Sequence, residues 1–384
     1  MSILRVSVLF LAAAACVLGA DARVPVRTIT AFVKVNPADA GKRLAEAAAF
    51  LKSARAGMEK LGYTVQTVRV ATTPAAEYAA PLDDSSALAL FTRMDDVARQ
   101  EGFSLSIGPF DPGREKLAAE VLQRTRQINT TMVLRDAAAA RAAANMIVEL
   151  SRQIPDGSQN FRFAAIAGLD PGSPFFPGGY ASAELDHSFA LGLESPALFR
   201  EGRDVAAVLG HVAAAGAELE RASGWRYVGL DSSPAPAPGN SIAEAIEKIA
   251  GVPLGSPGTL AAAASITSRI KGLKVRLTGY SGLMLPVLED EVLARRVGEG
   301  RLTIYSLLLY SAVCGTGLDT LPIPGDVAPG RVAALLEEVA LLAGRWNKPL
   351  TARLFLVPGK RAGDEVRWKV PHLVAWFRVM DLDR

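Results

Sequence analysis

Short apolar runs rich in β-branched residues alternate along the chain with longer alanine-rich segments of helical period. This alternation is typical of repeated β-α units that build a largely parallel sheet. It predicts about ten strands, near Thr28–Val35, Thr64–Val70, Phe103–Ile107, Thr130–Leu134, Phe163–Ala167, Ser188–Leu193, Tyr227–Leu230, Lys274–Thr278, Ala352–Val357 and Leu373–Val379. Helices are predicted between them, among them Pro37–Leu61, Asp136–Gln153, Asp204–Ala222, Ser241–Ile249 and Ala328–Trp346. The alternation does not stop, so residues 23–384 are expected to form a single α/β domain.

The first 22 residues have the pattern of a secretory signal. Arg5 precedes an apolar run from Val6 to Leu18, and small residues surround the expected cleavage point after Ala22. The run is shorter than a membrane-spanning helix needs, so no transmembrane segment is expected. The sequence therefore predicts export to the periplasm or the medium. Lipid modification of Cys16 is an alternative, but Ala13 stands where such a motif usually has a leucine-like residue.

Charge narrows the range of partners. The chain carries 42 basic and 39 acidic residues, a formal net charge of +3, and half of its residues are hydrophobic. Nucleic-acid binding needs clustered Lys and Arg that displace counterions from phosphates, and this near-neutral chain has no such cluster. We therefore expect a small-molecule ligand and no nucleic acid, and the possibility of a homo-oligomer stays open.

Five loops in the second half combine glycine or proline with an acid, a hydroxyl, a thiol or a lysine. They are Asp231–Pro236, Gly255–Thr259, Gly279–Asp290, Cys314–Asp326 and Pro358–Asp364. Ligands of parallel α/β folds bind at loops that follow the strands. These loops are therefore expected to form one ligand-binding surface.

The segments Asp231–Pro236, Gly282–Asp290 and Cys314–Asp326 together resemble the uncharacterised family known as domain of unknown function 711 (DUF711), over essentially the whole chain after the leader. The resemblance implies a barrel like that of pyruvate formate-lyase and its glycyl-radical relatives, with about ten strands in two half-barrels and helices outside. Those relatives carry a cysteine on a loop inside the barrel and a radical glycine near the C-terminus. Cys314 matches the cysteine, but no radical-glycine signature precedes Arg384, so radical chemistry is not expected.

Cys314 has three alternative roles. It can be a small hydrophobic residue at the end of the apolar helix Ile304–Val313, since free cysteines are often buried. It can be a nucleophile with a lowered pKa, in which case the glycines that follow would let substrate approach the backbone. It can also contact a ligand without forming a covalent bond.

Several carboxylates form a second set of candidates for acid–base chemistry. They are Asp231, Glu289, Asp290, Asp319 and Asp326. Asp231 follows a predicted strand, Glu289 and Asp290 open a predicted helix, and Asp319 and Asp326 bracket a proline-rich loop. If they converge at the barrel mouth, their oxygens suit Mg²⁺ or Ca²⁺ as a cofactor. The alternative is structural: Glu289 and Asp290 would complement the amides of a helix start, and Asp319 would cap a turn.

A third candidate site precedes the helical stretch Leu260–Ile270. Gly255, Ser256, Gly258 and Thr259 lie just before it, where free amides could hold a carboxylate or phosphate. The segment lacks both the Walker and the dinucleotide-binding motif, so no nucleotide cofactor is expected. The remaining candidate ligand contacts are Ser232, Ser281 and Lys360. The alternative for the turn before the helix is that its glycines serve only the geometry of the turn. The alternative for Lys360 is an ordinary solvent-exposed lysine.

Two functions fit these features. The first is an exported enzyme of hydrolase or lyase type that acts on a small polar or anionic metabolite at the barrel mouth. The second is a periplasmic binding protein that uses the same mouth without catalysis. Binding proteins ordinarily have two lobes joined by a hinge, and this sequence has no such division, so an enzyme is favoured.

Overall fold

The computed structural model describes residues 23–384. One sheet of nine strands has the order β7-β6-β1-β2-β3-β4-β5-β9-β8. The strands are β1 (Val26–Val33), β2 (Val65–Thr72), β3 (Ser104–Pro109), β4 (Ile128–Val133), β5 (Phe163–Ala167), β6 (Ser188–Leu193), β7 (Arg226–Pro234), β8 (Gly317–Pro324) and β9 (Leu350–Val357). Two short strands, β10 (Glu365–Arg367) and β11 (Trp376–Arg378), form a separate antiparallel pair.

Strand direction divides the large sheet into two groups. β1 to β5 are mutually parallel. β6 pairs antiparallel with β1 and β9 pairs antiparallel with β5, whereas β7 is parallel to β6 and β8 is parallel to β9. The predicted α/β class with a mostly parallel sheet is therefore confirmed, and the two changes of direction lie on either side of the first five strands.

The helices connect the strands and pack against the sheet. They are α1 (Ala40–Lys60), α2 (Ala75–Tyr78), α3 (Asp84–Glu101), α4 (Glu115–Arg124), α5 (Ala137–Gln153), α6 (Pro196–Arg200), α7 (Val205–Ser223), α8 (Ile242–Ala250), α9 (Thr259–Lys271), α10 (Glu291–Gly298), α11 (Ile304–Ser311) and α12 (Pro329–Trp346). In α1, Leu44, Leu51 and Met58 recur at helical spacing and are buried against strand residues. Burial of each such side chain contributes about 2 kcal/mol. None of the helices in residues 23–384 has both the length and the apolar character that crossing a membrane requires.

Two strand predictions and one loop prediction need correction. Lys274–Thr278 is not a strand, and Leu277 makes only an isolated bridge to Leu230. Within Leu373–Val379 only Trp376–Arg378 is a strand, in the separate pair. The segment predicted as a proline-rich loop contains β8, which tolerates Pro322 and Pro324 because an edge strand has one side without ladder partners.

The glycine- and proline-rich loop 168–182 lies against one face of the sheet, which we call the inner face. The hydroxyl of Thr30 donates to the carbonyl of Pro174 at 2.9 Å, and the amide of Ala181 donates to the carbonyl of Thr72 at 2.9 Å. Helix residues cover the opposite face through the main hydrophobic core. The loop 168–182 thus covers part of the face that the helices leave uncovered.

The segment 277–286 touches both edge strands of the sheet. Leu277 bridges Leu230 of β7, and Pro286 bridges Asp319 of β8, both in parallel orientation. Among residues 23–384, these isolated bridges are the strand-like contacts of this segment, and it is not a tenth continuous strand. The expectation of a mostly parallel sheet is thus confirmed, with nine strands in residues 23–384. Closure of the sheet into a ten-stranded barrel is not confirmed.

Candidate functional site

A cavity of about 130 Å³ lies on the inner face of the sheet. Its charged lining residues are Arg27, Arg69, Glu289, Asp319 and Arg353. Polar and aromatic residues complete the wall, among them Ser104, Asn129, Thr316, Thr351, Phe161, Phe175, Phe176 and Tyr280. A cavity of about 150 Å³ holds a benzene molecule. The size therefore suits a small metabolite.

Arg353, on β9, is a buried cation that two carboxylates share. Its Nε donates to Oδ1 of Asp319 at 2.7 Å, and its Nη2 donates to Oε1 of Glu289. The three side chains are between 7 and 12% exposed. Burial opposes the positive charge, but the neighbouring carboxylates outweigh burial and raise the pKa of Arg353 above its usual value. The guanidinium also lies over the ring of Phe161, so its orientation is fixed.

Arg69, on β2, faces the same cavity without a carboxylate partner. Its Nη1 reaches the carbonyl of Pro174 only at 3.4 Å, and its guanidinium lies 5.1 Å from the ring centre of Phe176. Among residues 23–384, no Asp or Glu forms an ion pair with it. Burial, followed by the nearby charge of Arg27, lowers the pKa of Arg69 to about 9. It remains charged at neutral pH, and an incoming anion would supply the missing counterion.

The charges around the cavity do not cancel. Three arginines (Arg27, Arg69 and Arg353) face two carboxylates (Glu289 and Asp319), so the charged lining sums to +1 when all five are ionised. Arg27 has a neutral partner, since its Nη1 donates to Oε1 of Gln66 at 3.1 Å. The excess positive charge therefore lies on the β1–β2 side, and the cavity is suited to a negative ligand.

Asp231 is fully buried within β7 and binds backbone amides. Its carboxylate accepts hydrogen bonds from the hydroxyl of Ser233 at 2.6 Å and from the amides of Tyr280 and Ser281 at 2.9 and 3.0 Å. Burial raises its pKa, and these hydrogen bonds oppose the rise. The Ser281 hydroxyl in turn accepts from the amide of Ser232 at 3.3 Å. The predicted site residues Asp231, Ser232 and Ser281 do not line the cavity. They hold in place the loop that carries Tyr280, and Tyr280 does line the cavity.

Asp290 joins the starts of two helices. Its carboxylate accepts from Val292 and Leu293 at the start of α10, and from Ser241, Ile242 and Ala243 at the start of α8, at distances between 2.7 and 3.3 Å. This arrangement matches the structural alternative from the sequence, extended to a second helix. The side chain is 1% exposed, so water cannot replace these bonds.

Asp290→Ala is expected to lower the free energy of unfolding by about 2–3 kcal/mol, because two helices lose their capping acceptor at once. Asp83→Ala is the matched control: Asp83 caps only α3, through the amide of Ser86, and its loss should cost about 1 kcal/mol. Urea unfolding of the two variants gives the comparison. Equal losses would contradict the double-cap role.

The other predicted site residues lie apart from the cavity. Cys314 is 1% exposed within the main core, and its carbonyl accepts from Lys348. Asp326 is exposed. Gly255, Ser256, Gly258 and Thr259 form the turn before α9, where the amide of Gly255 donates to the hydroxyl of Thr259 at 3.1 Å. Lys360 lies in the turn after β9, where its carbonyl accepts from the amide of Gly325.

The carboxylates do not converge as the metal hypothesis requires. No group of three or more His, Cys, Asp or Glu in residues 23–384 is placed to hold a metal ion. Glu289 and Asp319 are bound by Arg353, whereas Asp231 and Asp290 are bound mainly by amides and hydroxyls. Four of the five candidate acids therefore have protein partners: Arg353 for two of them, and amides with hydroxyls for the other two.

Sequence reasoning missed the three arginines of the cavity. The candidates predicted from the sequence were loop residues, whereas Arg69 and Arg353 lie within β2 and β9 and Arg27 is the second residue of β1. A signal was present, because Val-Arg69-Val and Ala-Arg353-Leu place a cation within an apolar strand. Such residues are rarely buried unless they are paired or bind a ligand.

Comparison with known proteins places these features in a family context. Residues 20–369 match the model of a family described as Uncharacterised ACR (DUF711). A UPF0210 protein of Pyrobaculum arsenaticum is 31% identical, over 79% of this chain and 76% of the relative. A UPF0210 protein of Pyrobaculum aerophilum is also 31% identical, over 82% and 79%. One of Lactiplantibacillus plantarum is 27% identical, over 81% and 78%.

These relatives correct the functional prediction from the sequence. They are UPF0210 proteins of archaea and of a Gram-positive bacterium, and their descriptions carry no indication of export. The expectation of an exported enzyme, and its alternative of a periplasmic binding protein, are therefore wrong. A positively charged start followed by an apolar run is a weak signal when it is read alone. The predicted leader Met1–Ala22, with its cleavage point and Cys16, lies outside the described residues.

Proposed function

The chain belongs to the DUF711 family of uncharacterised proteins, and on that premise we propose that it binds a small carboxylate on the inner face of its sheet. Arg69 is the observation that carries this proposal. It is a charged side chain that faces a cavity, and its protein contacts are a long hydrogen bond and an aromatic ring. A carboxylate would form charge-assisted hydrogen bonds with it, since a guanidinium fits two carboxylate oxygens at once.

The proposed site differs from the one expected from sequence in its chemistry. The binding groups are arginines on strands, and the loops of the second half act as supports. Arg353 is already neutralised by Asp319 and Glu289, so Arg69, assisted by Arg27, is the cation available to a ligand. The proposal is one of binding, and it assigns no reaction to the site.

We infer that segment 277–286 occupies the tenth place of a barrel like that of pyruvate formate-lyase. The bridges from Leu277 to Leu230 and from Pro286 to Asp319 support this inference, because they connect the segment to both edges of the sheet. The opposite directions of the two strand groups also agree with two half-barrels.

Arg69→Met tests the binding proposal, with succinate as the probe. About 10 mM succinate should raise the Tm of the unaltered protein by about 2 °C relative to NaCl of equal ionic strength, as binding with a Kd near 1 mM requires. The variant should bind succinate about 10- to 100-fold more weakly, because a charge-assisted hydrogen bond contributes about 1.5–3 kcal/mol. Calorimetric titration measures both affinities.

Arg93→Met is the matched control, since it removes the same charge from an exposed position on α3. It should leave succinate binding unchanged. Arg69→Met should retain its Tm or gain stability without ligand, because the lost charge has no counterion. The proposal fails if succinate does not stabilise the unaltered protein, or if Arg69→Met binds it equally well.

A further inference from the structure

Charge is distributed unevenly across the cavity. Arg27 and Arg69 lie on the neighbouring strands β1 and β2 and supply two positive charges. The rest of the charged wall consists of Asp319 of β8, Glu289 just before α10 and Arg353 of β9. The net charge of these three side chains is −1. A ligand that complements this wall has negative charge at one end and positive charge at the other.

The acidic part of the wall keeps acceptor capacity after it has bound Arg353. The guanidinium engages Oδ1 of Asp319 and Oε1 of Glu289. No hydrogen bond from residues 23–384 reaches Oδ2 of Asp319 or Oε2 of Glu289. A single guanidinium therefore fixes the orientation of two carboxylates and leaves one oxygen of each for another donor. An ammonium group, with three N–H donors, is a suitable partner for such a pair.

We propose that the ligand is a small amino acid with a second acidic group, whose carboxylates face Arg27 and Arg69 and whose ammonium group faces Glu289 and Asp319. This inference rests on the proposed carboxylate binding and specifies its ligand class. The net charge of −1 of such a molecule balances the +1 of the charged lining. The volume of about 130 Å³ suits an amino acid of roughly the size of aspartate.

The central experiment compares L-aspartate with succinate on the unaltered protein. The two molecules share a carbon skeleton and both carboxylates, and only aspartate has the ammonium group. Calorimetric titration should give an affinity for aspartate at least about 10-fold higher than for succinate, since one charge-assisted contact is added. This comparison needs no variant, so a folding defect cannot obscure it.

Glu289→Gln tests the origin of the difference. It keeps the size of the side chain and removes one negative charge, while Asp319 remains to pair with Arg353. The advantage of aspartate over succinate should fall to less than about threefold, and succinate should bind as well as before or more tightly. Glu291→Gln, at an exposed position at the start of α10, is the matched control and should keep the full advantage.

The outcomes separate this inference from the proposal beneath it. If succinate binds and aspartate binds no better, the ligand class is wrong and carboxylate binding stands. An advantage of aspartate that survives Glu289→Gln undiminished also overturns the assignment of the ammonium position. If succinate does not bind, the proposed function itself fails, and this inference, which rests on it, fails as well.

Discussion

Arg353→Met is expected to lower the free energy of unfolding by about 3–5 kcal/mol, because it leaves Asp319 and Glu289 without their shared cation. Both carboxylates are 12% exposed, so water can solvate them only in part. Repulsion between the two like charges adds to the cost of their burial. Chemical denaturation at neutral pH measures the loss.

A second set of variants distinguishes charge from packing. The combined variant Arg353→Met, Glu289→Gln and Asp319→Asn removes all three charges and should recover at least half of the lost stability, since a buried ion cluster is costly mainly when it is broken in part. Arg353→Lys should be intermediate, because lysine cannot present two fixed N–H groups to two carboxylates. A loss below about 0.5 kcal/mol in Arg353→Met would mean that the ion pairs contribute no more than an ordinary surface site.

Gly315→Ala is expected to destabilise the protein by more than about 3 kcal/mol or to prevent folding. A Cβ atom at this position would overlap the backbone of Gly282, and a Cβ on Gly282 would likewise overlap Gly315. The amide of Gly315 also donates to the carbonyl of Leu283 at 2.9 Å, so the two chain segments cannot separate without losing this bond. Soluble yield and urea unfolding give the measurement.

Gly344→Ala is the matched control for this prediction. Gly344 lies within α12, and a Cβ there would meet nothing within 4 Å. The change should stabilise the protein by up to about 1 kcal/mol, because alanine favours a helix more than glycine does. If Gly315→Ala were as stable as the control, the close contact with Gly282 would not constrain the fold.

This contact revises one interpretation of the sequence. If Cys314 were a nucleophile, the glycines after it would let a substrate approach the backbone, but the segment that approaches Gly315 is the backbone of Gly282. Both glycines belong to segments on which the family resemblance rests. A sequence shows that a loop requires glycine, but it does not show whether the space is taken by a ligand or by another part of the chain.

Local signals predicted most of the elements and few of the site's contacts. Residues 26–33 and 137–153 carry clear strand and helix periods, and the structure agrees with both within a few residues. β8 was missed because Pro322 and Pro324 normally end a strand, and only its place at a sheet edge permits them. Position in the sheet is a property of the whole fold, and a short window of sequence does not contain it.

The site was only partly predictable for a similar reason. Glu289 and Asp319 were identified as candidates and do line the cavity, but their common partner Arg353 lies more than 30 residues away along the chain. Asp231 and Asp290 have the same composition signal, yet their carboxylates bind amides. An acidic residue in a glycine-rich loop can form an ion pair, accept hydrogen bonds from amides or bind a ligand. Which of these roles it has depends on the groups that folding places beside it.

The order of the strands in the sheet affects folding of the chain during its synthesis. The first five strands are complete once Ala167 has been made, but the outer edge of β5 gains its partner only when Leu350–Val357 emerges. Until then, the nascent polypeptide carries an unpaired strand edge, which is a template for aggregation. Translation speed and chaperone supply should thus influence the yield of soluble protein.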